Sequence, residues 1–167
     1  MTDADVHTAL TRWIASVTGL VTMQAYQNIK EPALPYIMVN MMGTAEVHDR
    51  PSDIDYQETE TENSEGELEV LATPIIDGEW RFSVHAYGSS PTSYLRKLKT
   101  AAKLNQKQEP LFPNLVIHEL SQIRHVPEWI KNAWQPRAQI DVIVRGVVAD
   151  GYVVDVIDQA PVTIETA

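Results

Sequence analysis

The chain predicts an α+β fold: a mostly antiparallel sheet with two helices packed on it, a long acidic loop, and a C-terminal hairpin and arm. Three observations carry that prediction. Trp80, Phe82, Val84 and Ala86 alternate with Arg81, Ser83, His85 and Tyr87, so this strand should bury one face and keep the other wetter. Ala138, Ile140, Val142 and Val144 alternate with Gln139, Asp141, Ile143 and Arg145, and the two strands are expected to be neighbours. Two other stretches repeat apolar residues at helical spacing, Val6-Leu10-Trp13-Ile14-Val17 and Tyr94-Leu95-Leu98-Ala101-Ala102. A length of 167 residues suits a single domain, 1–167, with a real core.

The first helix is expected to start at a Thr2 or Asp3 cap and stop at Gly19. Met23 to Gln27 reads as a short strand, and a loop with Pro32 and Pro35 follows. Tyr36 to Met42 is apolar at nearly every position, so both of its faces should be covered. From Glu46 to Glu67 the chain carries nine acidic residues against the single cation Arg50. So polar a stretch has little to bury against its ordering entropy, and 46–66 is expected as a flexible loop.

Leu68 to Ala72 reads as a strand that turns at Asp77-Gly78 and pairs with the Glu79–Tyr87 strand as a hairpin. Pro74 marks an edge or a bulge. The second helix runs from about Pro91 to Leu104, with Ser89 or Ser90 as its cap and Pro91 in its first turn. Leu115 to Val126 is one kinked strand or two short ones. A helical turn is expected near Glu128–Lys131, and Asp150-Gly151 reads as a second hairpin turn inside a C-terminal hairpin and arm over 147–167.

Several functions are excluded or disfavoured. A net charge of −10 argues against gripping nucleic acid by its phosphates, which runs on Lys and Arg, but not against a ring through which DNA slides. There is no cysteine, hence no disulfide and no thiolate zinc site. The first residues lack a signal-peptide pattern, and no apolar run reaches the ~20 residues of a membrane helix. Ser83 and His85 share a strand face, but no nucleophile elbow accompanies them. His118 and His125 have no third ligand at metal spacing, and His48-Asp49 stands alone in the acidic segment. That segment lacks the ligand spacing of a calcium loop. No catalytic, cofactor-binding or metal-ligating residue is therefore assigned, and no cofactor is expected.

Charge patterning offers another kind of site. Arg96, Lys97, Lys99 and Lys103 give the second helix a basic outer face. Asp53, Asp55, Glu58, Glu60 and Glu62 belong to the acidic segment. The plain reading of the basic stripe is a solvated helix face; the alternative, preferred over contact with DNA because the chain is so acidic, is pairing of these two groups between copies of the chain as an oligomer interface.

Three stretches together resemble the bacteriophage neck or tail terminator family. They are Trp13-Ile14 through Thr18-Gly19-Leu20 with Tyr26-Gln27-Asn28 and Pro32 to Ile37, then Arg81 to Gly88, then Trp134 to Val142. Their order and spacing carry the likeness over residues from about 10 to 145. The resemblance implies a structural virion protein, not an enzyme, that closes into a ring, usually a hexamer, at the head-proximal end of a tail. Such a ring ends tube polymerisation, contacts tube and sheath proteins, faces the head-neck connector and lets DNA pass through its lumen. It implies assembly in the host cytoplasm and no membrane partner. Glu46 to Ile76 and the chain after Gly146 depart from the pattern, and no functional residue is carried over. The alternatives are a head-closure or tail-completion adaptor of similar fold, and an enzyme or ligand-binding domain.

Overall fold

A computed structural model describes residues 1–27, 30–63, 66, 68–130 and 132–154. Helix α1 (Asp3–Thr18) opens it. Thr2 and Asp5 form a reciprocal capping box, and Gly19 ends the helix at φ 71. Strand β1 (Val21–Gln24) pairs in parallel with β2 (Tyr36–Glu46). Next come β3 (Asp53–Glu62) and β4 (Leu68–Tyr87), then helix α2 (Pro91–Ala101) and a short α3 (Asn105–Gln108). Strands β5 (Leu115–Leu120), β6 (Arg124–His125), β7 (Glu128–Ile130), β8 (Ala133–Gln135), β9 (Arg137–Ala149) and β10 (Tyr152–Val154) complete the described chain.

The main sheet has the order β1-β2-β4-β9-β5, antiparallel except at β1. Both predicted central strands are there as neighbours, with Phe82 opposite Val142 and Val84 opposite Ile140. Helices α1 and α2 cover one face. Val6, Leu10, Trp13 and Ile14 join Leu95 and Leu98 over Phe82, Val84, Ile140 and Val142, all fully or almost fully buried. Two indoles fasten the layer: Trp13 Nε1 donates to the Lys107 carbonyl (2.7 Å) and Trp80 Nε1 to Asp3 Oδ1 (2.8 Å). The unpredicted α3 is held by buried Gln108, which donates to the Ala102 carbonyl and accepts from the Ile117 amide.

Four sequence expectations need correction. Most of the 46–66 acidic segment is not a loop: Asp53 to Glu62 form β3, paired with the first half of β4. Ile54, Tyr56, Thr59 and Thr61 are residue types that favour strands, and ladder bonds to β4 replace the burial the segment lacks. Asp77-Gly78 is no hairpin turn. It lies inside the continuous 20-residue β4, with Gly78 between Glu46 and Gly146.

A Cβ on Gly78 would sit 2.8 Å from the Trp80 ring, so this glycine makes room for an indole rather than a bend. Asp150-Gly151 does not turn the chain either. Ala149 opposes Ile75 and Tyr152 opposes Ala72, so β10 continues β9 along β4 after a break, in place of the expected hairpin. Gly151 is packed against Thr73 and Leu71. The helical turn near Glu128 is in fact the β7–β8 hairpin, whose bend holds Asn132 at φ 62. The expected C-terminal arm beyond residue 154 lies outside the described residues.

Candidate assembly surfaces

The expected wet face of β4 is polar yet largely buried. Ser83 and His85 are 2% and 7% exposed. The Arg137 guanidinium donates to His85 Nδ1 (2.9 Å), which leaves the imidazole proton on Nε2, facing Ser83 Oγ at 3.1 Å. Gln139 Nε2 also donates to Ser83 Oγ (2.6 Å), and Ser83 donates onward to Asp141 Oδ1 (3.3 Å). Arg124 pairs with Asp141 and Arg137 with Glu128.

This wiring runs opposite to that of a serine nucleophile, whose His must accept from Ser and donate to a carboxylate. Here a cation occupies the ring nitrogen that the carboxylate would need. Burial, with the Arg137 charge behind it, pushes the His85 pKa down to about 4, so the ring stays neutral at pH 7. At the far end of the row, Arg145 holds the Glu79 carboxyl below its usual range, with Arg81 as its second partner. The network joins β4 to β9 and to the β7–β8 hairpin.

Beyond the helix-covered body, three strands run on. β3, the first half of β4 and β10 form a narrow arm, with β4 in the middle. On one of its faces Tyr56, Ala72 and Tyr152 form a row. Ala72 is buried, while the two tyrosines flanking it are 61% and 66% exposed. On the opposite face Leu71 sits between Gln57 and Val153, and Val153 is exposed. Apolar side chains thus occur on both faces, and the main packing partner of both β3 and β10 is β4, not a helix. The outer edges of β3 and β10 have no strand partner there.

The structure separates the two predicted charge groups. Asp53, Asp55, Glu58, Glu60 and Glu62 are all exposed along β3, and none forms an ion pair with a cation among the described residues. Arg96, Lys97 and Lys103 are exposed on or just after α2. Lys99 differs: its Nζ donates to the Ser121 carbonyl (2.9 Å), tying α2 to the chain after β5.

Arg96 and Lys97, with Lys107, rim a groove of about 630 Å³ that Val17, Ala101, Leu104 and Pro110 help to line. Lys107 joins this set only because α3 folds back, which no local signal foretold. Another surface missed from the sequence is the β7–β8 hairpin, where Trp129 and Trp134 stack edge to face at 5.2 Å while 56% and 65% exposed. Exposed tryptophans are characteristic of contact surfaces, and their presence was readable even without the hairpin. His118, His125 and His48 are exposed, and no three or more metal-ligating side chains gather among the described residues. No described helix is long and apolar enough to cross a membrane.

The chain is thus an α+β protein, a helix-covered sheet with a β arm and with exposed apolar and charged surfaces. The model of the phage neck terminator protein family matches residues 4–167, and the chain belongs to that family, whose members are structural components of the virion tail. No curated protein matches the sequence. Among solved structures, the sheath/tube terminator of an extracellular contractile injection system, in its extended state, is 12% identical with a TM-score of 0.52. That match covers 100% of this chain and 64% of the other, so the chain spans about two thirds of its neighbour's length and shares its fold. A second structure, 14% identical over 86% of this chain and 91% of its own, has a TM-score of 0.34, too low to define a fold.

Proposed function

We infer that this tail terminator acts as a ring. Copies close head to tail around the tail axis, most simply as a hexamer, and end polymerisation of the tail tube. The ring contacts tube and sheath proteins below and the head-neck connector above, and DNA crosses its lumen without specific binding. The observation that carries this reading is the arm. A strand ladder with apolar side chains on both faces and two open edges gains little stability by itself, whereas a neighbouring subunit can cover it. Ring closure needs such a heterologous contact, in which one surface meets a different surface on the next copy.

Net charge of −10 suits a lumen that DNA traverses without being held. The test is light scattering together with electron microscopy of the purified chain, alone and with tail tubes. A closed ring, in solution or capping a tube end, is expected. A strict monomer in both conditions contradicts the reading.

A further inference from the structure

The geometry points to a specific seat for the arm: β3 of one copy docks in the cation-rimmed groove between α1 and α2 of the next. The proposal rests on the ring reading above and gives it a contact. The groove combines two chemistries. Its lining includes Val17, Ala101 and Leu104, and its rim carries Arg96, Lys97 and Lys107. None of these three cations forms an ion pair among the described residues.

Strand β3 combines the complementary two. Its register with β4 is regular from Asp53 to Glu58, so Ile54, Tyr56 and Glu58 share one face. Glu60 and Glu62 follow beyond a register irregularity, both exposed. Two apolar side chains followed by three carboxylates therefore meet an apolar floor bordered by three cations. Lys99, committed to the Ser121 carbonyl, takes no part.

The two surfaces cannot satisfy each other within one chain as folded. The groove lies between helices on the covered face of the body, while β3 lies along the first half of β4, beyond that cover. A second copy supplies the missing half. The same pairing leaves each copy with one arm used and one groove filled, which is what a closed ring requires.

Because the chain has no cysteine, single thiols report the contact cleanly. Full-length Glu60→Cys and Lys97→Cys variants are mixed with a short bis-maleimide, and light scattering follows assembly in the same samples. A covalent dimer is expected, at least ten-fold above a control mixture of Lys97→Cys with Glu119→Cys, and reduced by high salt. Rings without that dimer overturn the pairing and leave the ring reading standing. Dimer without rings supports the pairing and overturns closure, and absence of both overturns both.

A charge exchange adds a second readout. Glu58→Lys with Glu60→Lys and Glu62→Lys should abolish assembly. Adding Arg96→Glu, Lys97→Glu and Lys107→Glu in the same chain should restore it, and failure to restore overturns the pairing.

Discussion

Strand β4 passes through two environments in one unbroken run. Its second half is fixed by its surroundings: Phe82, Val84 and Ala86 are fully buried under the helices, between β2 and β9. Its first half has two strand neighbours as well, yet only Ala72 is buried there. Both halves satisfy their backbone in ladders, so hydrogen bonding does not distinguish them. What differs is apolar burial, the main favourable term in folding. The body thus buries a core of its own, whereas the arm is a preformed element whose side chains stay largely uncovered within one chain, the state the proposed assembly would change.

That contrast can be broken or sharpened by mutation. Phe82→Ala, in the body, should cost about 3–5 kcal/mol in urea unfolding, because a large buried ring leaves a cavity. Gly78→Ala should cost about 1–3 kcal/mol, since the new methyl would press on the Trp80 ring where body and arm meet. Gly43→Ala, also in a strand but with open space around its Cβ position, should stay within about 0.5 kcal/mol.

Acid should act on the body. His85, at about 4 in the folded protein, lies below the ordinary value of ~6.5. Between those values the unfolded chain takes up a proton that the folded one refuses, so stability falls as pH drops through that window and is fully present above it. His7, also lowered by burial, adds the same sign. His85→Gln should flatten the dependence of the urea midpoint on pH between 6.5 and 4.5. In the arm a truncation of an aromatic side chain should cost far less than in the body: Tyr152→Ala should change subunit stability by only ~0.2–1 kcal/mol, the size of one cross-strand pair.

Legibility from the sequence divides along the same boundary. The body was readable because burial imposes periodicity, and the stripes through Leu10 and Leu98 and the alternation at Phe82 and Val142 record which face is covered. In the arm no such record exists. Ile54 and Tyr56 are the only apolar residues of β3, and the acids around them carry the composition of a solvated loop. Both Asp-Gly dipeptides misled for a related reason. A local turn preference is worth little against a long ladder, and Gly78 and Gly151 are small because an indole and a leucine press on them.

The basic helix face was legible, but its division was not. That Lys99 is spent on Ser121 and that Lys107 joins the groove depend on contacts between distant segments. Nor could spacing alone show that Ser83 and His85 are held in a network wired against nucleophilic chemistry.

Native-state hydrogen exchange tests the account most directly, on the free subunit and on the assembled protein. In the free subunit, amides of residues 55–58, 70–73 and 152–154 should exchange through openings much cheaper than global unfolding, while those of 80–86 and 138–144 open only with the whole body. Assembly should raise protection in the arm and leave the body unchanged. Arm amides protected as strongly as the body's before any partner is present, with no gain on assembly, would contradict it.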